Sequence, residues 1–204
     1  MLFDDTYRTI GSASSSIYKE KGSKFLAFAD PLTSENEVKT ILEKYRKQYH
    51  DARHHCYAWS IGPARESQRM NDDGEPSGTA GRPIFGQILS FGLTDLIVVV
   101  VRYFGGTKLG VSGLINAYKS ATRDALEAAE ILTKTVNDLY EIEFAYPATN
   151  EVMRIVKEKN LEIIESSYKD TCRLVISVRK KNAILACNSI SSIINVKIKY
   201  LRTI

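Results

Sequence analysis

Three cysteines, three histidines and one tryptophan are all that 204 residues contain of those types, and each scarcity closes off a reading. Cys56, Cys172 and Cys187 are odd in number and unrelated in spacing, with no Cys-x-x-Cys pair. That excludes a disulfide framework and a thioredoxin-like redox pair, and it fits reduced thiols in a cytoplasmic protein. Zinc needs three or four ligands in tetrahedral reach. His50, His54, His55 and the neighbouring Cys56 are too few for one once strand alternation separates them, so no metal or other cofactor is expected. The longest strongly apolar run, residues 96–101, is far too short to span a bilayer. The acidic start, Met1-Leu2-Phe3-Asp4-Asp5, has none of the basic and apolar character of a signal peptide, so no membrane association is expected.

Charge of one sign is also missing. The formal net charge is +4, with 17 Lys+Arg against 16 Asp+Glu in residues 1–136 and 11 against 8 in 137–204. There is no polybasic tail, so any nucleic-acid contact must come from a local cluster. The familiar nucleotide motifs are absent too. Lys108 is followed by Leu109 rather than Ser or Thr, which excludes a Walker A loop, and no Rossmann glycine spacing occurs. Ser77 sits in Glu-Pro-Ser-Gly-Thr, not in a Gly-x-Ser-x-Gly elbow.

What is present is a pair of glycine-rich loops. The first, Asp72-Asp73-Gly74-Glu75-Pro76-Ser77-Gly78-Thr79-Ala80-Gly81-Arg82-Pro83, runs into a helical pattern. The second, Arg102-Tyr103-Phe104-Gly105-Gly106-Thr107-Lys108-Leu109-Gly110, follows the most apolar strand and opens a long amphipathic helix. Glycine lets a backbone approach a ligand closely, and free N–H groups at a helix start favour an anion. The anion or nucleic-acid candidates are therefore Ser77, Gly78, Thr79, Gly81 and Arg82 in the first loop. In the second they are Arg102, Gly105, Gly106, Thr107 and Lys108. Lys21, Lys24, His54, Asp73 and Glu75 are further cleft candidates. The acidic run Asp72, Asp73 and Glu75 must lie to one side, pair with those cations, or bridge to phosphate through Mg²⁺.

Hydrophobic periodicity predicts an α+β chain of two domains, 1–132 and 137–204, joined by a connector at 131–137. Residues 7–29 read as two strands turning at 19–22, and Ser34 with Glu37 reads as a capping box. A helix to about Tyr49 follows, then a strand over 53–61 and a loop over 65–81. Pro83 suits the first turn of a second helix, and the strand at 94–104 is expected at the centre of its sheet. From Gly110, residues Val111, Leu114, Ile115, Tyr118, Ala121, Ala125 and Leu126 form one apolar stripe. The remainder reads βαββαβ, a ferredoxin-like unit. Tyr140, Ile142, Phe144 and Tyr146 are expected inward on its first strand, and Val196, Ile198 and Tyr200 on its last. Glu141, Glu143, Arg173, Lys197 and Lys199 should line the opposite face with alternating sign.

The two glycine loops, with Lys21-Gly22-Ser23-Lys24-Phe25 and His54-His55-Cys56-Tyr57-Ala58, resemble in order the signature blocks of the YigZ/IMPACT family. The resemblance spans roughly residues 15–120, and the last third is similar to the small C-terminal domain of bacterial members. It implies an N-terminal βα sandwich like the second domain of a small-subunit ribosomal protein. It also implies a translation-associated regulator that binds RNA or the ribosome, with a regulatory protein as a further partner. The eukaryotic relatives carry an N-terminal RWD domain ahead of the shared blocks, so a bacterial-type member is expected. Two alternatives remain open. A hydrolase could combine Ser77, His54 and Asp73, or use Glu75 as acid or base, on a phosphorylated or peptide-like molecule. A protein–protein adaptor would use the charged sheet.

Overall fold

Residues 96–101 carry no polar side chain, so the strand they form must be covered on both faces. The computed structural model, which describes residues 5–168 and 171–204, shows how. The unit Tyr7–Lys134 contains β1 (Thr6–Ile10) but for its first residue, then β2 (Ser14–Glu20), β3 (Ser23–Pro31), α1 (Glu35–Gln48), β4 (His54–Ile61) and β5 (Ser67–Asn71). It continues through α2 (Gly81–Ser90), β6 (Leu96–Tyr103), α3 (Gly110–Glu127) and all but the last residue of β7 (Ile131–Thr135). Five of the strands form an antiparallel sheet in the order β2-β3-β6-β4-β5, with β6 at its centre as expected.

Alternation along β6 then assigns the layers. Leu96, Val98 and Val100 pack with Phe25, Cys56, Ile84, Ile88, Leu114 and Tyr118 under α2 and α3. Ile97, Val99 and Val101 pack with Leu26, Tyr57, Trp59, Leu42 and Tyr45 under α1. Even-numbered residues of β4 and β6 thus face the two-helix layer. Arg102, the first charge after the apolar run, shares that parity.

Several expectations need correction. The stretch 7–29 holds three strands: the chain breaks at residues 11–13, β1 pairs with β7, and β2 pairs with β3. The expected connector at 131–137 therefore contains a strand. Part of the expected loop at 65–81 is β5, an edge strand whose polar sequence SQRMN carries no alternating apolar signal. Ser34 makes no side-chain cap. Instead the Glu37 carboxylate accepts from the Thr33 and Ser34 hydroxyls at 2.6 and 3.1 Å, which holds its pKa below the usual carboxylate range. Val111 leaves the apolar stripe and is 60% exposed.

The second unit comprises residues 5–6 with Thr135–Ile204. It contains β8 (Asn137–Phe144), α4 (Thr149–Glu158), β9 (Glu162–Tyr168), β10 (Cys172–Arg179), α5 (Ala183–Ser191) and β11 (Lys197–Thr203). The strand order β11-β8-β10-β9 is that of the ferredoxin-like split unit. Ile142, Phe144, Cys172, Leu174, Ile176 and Val178 point into its core with Val152, Ile155 and Ile190. Tyr146 lies instead in a short 3₁₀ turn beyond the strand and is exposed, and Tyr200 stays half exposed against the Tyr140 ring. The charges on the other face alternate in sign: Lys197 and Lys199 lie opposite Glu143 and Glu141, and Arg173 pairs with Glu141. Asp5 accepts two hydrogen bonds from Arg179 at 2.8 and 2.9 Å, which lowers its pKa. Among the described residues no helix is long and apolar enough to cross a membrane.

One buried group of the first unit makes stability depend on pH. His55 lies on the α1 face, 6% exposed, and its Nε2 has no hydrogen-bond partner among the described residues. Burial lowers its pKa, partly offset by Asp73. The unfolded chain therefore takes up a proton that the folded chain resists, so stability falls as pH drops below about 6.5 and levels off below the folded pKa. The melting temperature should fall between pH 7.5 and 5.5, and the fall should be clearly smaller in His55→Gln. Equal falls in the two proteins would assign the effect to another group.

Candidate functional site

At the end of the central sheet three side chains lie in one rung on the two-helix face. Phe25 on β3 and His54 on β4 are the cross-strand partners of Arg102 on β6. The Arg102 guanidinium lies 5.5 Å from the Phe25 ring centre and 5.7 Å from that of Phe104. Its Nη1 donates to Glu75 Oε1 at 2.6 Å, and both residues are buried. Tyr118, two turns along α3 from Gly110, donates its hydroxyl to the same Oε1 at 2.8 Å. Its ring meets Phe25 edge-on at 5.1 Å. The Cys56 thiol lies 3.2 Å from Tyr118 Oη and 3.0 Å from the Asp72 carbonyl. Burial pushes the pKa of both the thiol and the phenol upward, so each keeps its proton and acts as a donor.

The acidic run is absorbed by its own loop. Asp72 accepts the backbone N–H groups of Gly78, Ala80 and Gly81 at 2.8, 3.0 and 2.8 Å, which closes the loop and caps the start of α2. The Asp73 carboxylate takes the His55 N–H at 2.7 Å and lies 3.7 Å from Arg46. The His54 ring reaches the Asp73 carbonyl at 2.9 Å. A carbonyl only accepts, so Nδ1 carries the proton there. The hydrolase combination is thus not joined by hydrogen bonds among the described residues: His54 meets the Asp73 backbone rather than its carboxylate, and Ser77 is exposed.

A cavity of about 470 Å³ opens above this rung. Arg53, His54, Glu75, Arg102 and Lys108 supply its polar lining, and Pro76, Phe104, Leu109, Val111 and Leu114 its apolar lining. The start of α3 borders it through Gly110. Of the expected residues, His54, Glu75, Arg102 and Lys108 meet there. Ser77, Gly78, Thr79, Gly81, Arg82, Asp73, Gly105, Gly106, Thr107, Lys21 and Lys24 do not line it. Thr79 is buried and bonded to the Pro76 carbonyl at 2.7 Å, while Arg82 is exposed on α2.

Two glycines serve internal packing. A β-carbon on Gly81 would meet the Asn71 backbone at 2.7 Å, and one on Gly105 would overlap the Gly22 backbone. The second contact places the turn that carries Lys21 beside the second glycine loop. Arg53, Phe104, Tyr118 and Cys56 were not anticipated in the site. A usable signal existed: Gly110, Leu114 and Tyr118 recur every fourth residue on α3, and Phe104 continues the parity of Arg102.

Removing one partner of a buried ion pair strands the other charge. Glu75→Ala should therefore lower unfolding free energy by about 3–5 kcal/mol. Joint replacement, Glu75→Leu with Arg102→Met, should recover much of that loss. Chemical denaturation of the three proteins tests this, and a Glu75→Ala loss below about 1 kcal/mol would mean that the pair is not coupled as described.

Comparison with known proteins places these residues in a family. Residues 21–126 match the Impact N-terminal domain. The IMPACT family member YigZ of Escherichia coli is 34% identical over 151 residues, covering 73% of this chain and 74% of that protein. The IMPACT family member in the pol 5′ region of Thermus thermophilus is 37% identical over 156 residues, covering 76% and 83%. A crystal structure of a hypothetical protein superposes with a TM-score of 0.74 at 28% identity, covering 97% of this chain and 98% of the other.

Proposed function

The chain belongs to the IMPACT family, and from that premise we propose that it binds RNA of the translation machinery in the cleft between β4, β6 and α3. One observation carries the reading: the charge of the cleft is uncompensated at its mouth and neutralised in its floor. Glu75, the acid that lines the cavity, is held by Arg102 and Tyr118. Arg53 and Lys108 are exposed and have no ion-pair partner among the described residues. The start of α3 adds to their field, because it has no side-chain cap and no acid in its first turn. Phosphate oxygens suit such a surface. The reading puts the protein in the cytoplasm, where that RNA is.

The location of the positive charge predicts a salt signature. Each phosphate contact releases counterions, so losing one reduces the log–log salt slope by about 0.7 for single-stranded RNA or 0.9 for a duplex. Lys108→Ala and Arg53→Ala should each weaken co-sedimentation with ribosomes or RNA, flatten its salt dependence by that amount, and leave the melting temperature unchanged. If binding is indifferent to both substitutions at low salt, the cleft is not where RNA is held. A regulatory protein on the charged sheet of the second unit would then be the next partner to test.

A further inference from the structure

Phe104 is the anomaly of the cleft. It directly follows the most buried strand in the chain, yet it is 57% exposed at the cavity wall. Its ring is backed rather than loose. The Arg102 guanidinium lies over it, and that guanidinium is itself fixed by Glu75 at 2.6 Å and by the neighbouring Phe25 ring. Arg102 is 7% exposed, and its Nε has no hydrogen-bond partner among the described residues. A flat aromatic surface held in place by a buried cation is a stacking platform.

The anion end of the same cavity is equally specific. Gly110 and Val111 of an 18-residue helix line it, and no side chain caps their N–H groups. Lys108 stands two residues before the first residue of that helix. A base-sized plane and a phosphate-sized anion site therefore border one space of about 470 Å³.

Resting on the RNA reading, we infer that the cleft takes one unpaired nucleotide, its base on Phe104 and its phosphate at the first turn of α3 beside Lys108. A base still stacked in an A-form duplex offers no free face, and a duplex is recognised through its backbone and shallow minor groove. The site therefore selects single-stranded segments, loops or ends.

Fluorescence anisotropy of the full chain with a short single-stranded RNA, and with the duplex of the same sequence, tests the inference. The single strand should bind about tenfold or more tightly than the duplex. Phe104→Ala should weaken single-strand binding by about tenfold or more, as loss of one stacked base does. It should leave the salt slope unchanged, because stacking releases no counterions, and Phe104→Tyr should restore most of the affinity. Equal binding of strand and duplex, or an unaffected Phe104→Ala, overturns the inference while a reduced slope in Lys108→Ala keeps the RNA reading. Absence of salt-dependent binding to either RNA overturns both.

Discussion

A single buried ion pair governs the geometry of the cleft. Arg102 is the first charged residue after six consecutive apolar ones, and strand parity aims it into the two-helix layer. A buried guanidinium without an opposite charge beside it would be costly to desolvate, so an acid has to come to it. Glu75 does so from a loop that would otherwise be free to point elsewhere. The loop, the strand and α3 are thereby tied through one oxygen, which accepts from Arg102 and Tyr118 together. Such an arrangement fixes position more than it stabilises, since desolvating both charges offsets much of their attraction. What it supplies is a defined floor beneath the cavity.

The rest of the acidic run follows the same logic. Asp72 offers two oxygens to three backbone N–H groups. A carboxylate engaged in this way holds a tight turn in register and no longer opposes an incoming anion. Gly81 then makes sense as a packing residue, because the chain there lies so near the β5 backbone that any side chain would collide, whereas Gly74 and Gly78 serve the turn through their positive φ of 85° and 76°. A loop that resembles a ligand cradle in sequence is, in its first half, a device for presenting Glu75.

How much of this was legible in the sequence depended on the periodicity available. The central place of β6 followed from its unbroken apolar run, and the ferredoxin-like order of the second unit followed from inward stripes such as Cys172, Leu174, Ile176 and Val178. Strand β5 was invisible because an edge strand with solvent on both faces needs no apolar alternation. Tyr146 was misplaced because alternation was extended past Phe144, where the chain turns into a 3₁₀ helix. In the site, Arg102, Lys108 and Glu75 were read as neighbours from the two glycine loops, and His54 as a further cleft candidate from the separate block at residues 54–58. Tyr118 was read only as core, because a buried phenol and a buried leucine leave the same mark in a hydrophobic stripe. The hydroxyl shows its role only when its acceptor is in place.

The division of labour among the cations has a consequence for recognition. Because Arg102 is committed to Glu75, it presents a fixed dipolar floor and contributes little net charge to the solvent field. The attraction felt at a distance comes from Lys108 and Arg53, both on the exposed rim. Charges of that kind raise encounter rates and are screened within about a Debye length, roughly 8 Å at physiological salt. In the RNA complex proposed above they would hold a backbone without reading its sequence. Discrimination must then come from the apolar part of the cavity, where Phe104, Leu109 and Leu114 accept a flat or apolar surface and offer it no hydrogen bond from their side chains. If RNA is the ligand, as proposed above, such a site would separate ligands by shape and by whether a base is free to stack, and it would tolerate variation in which base that is.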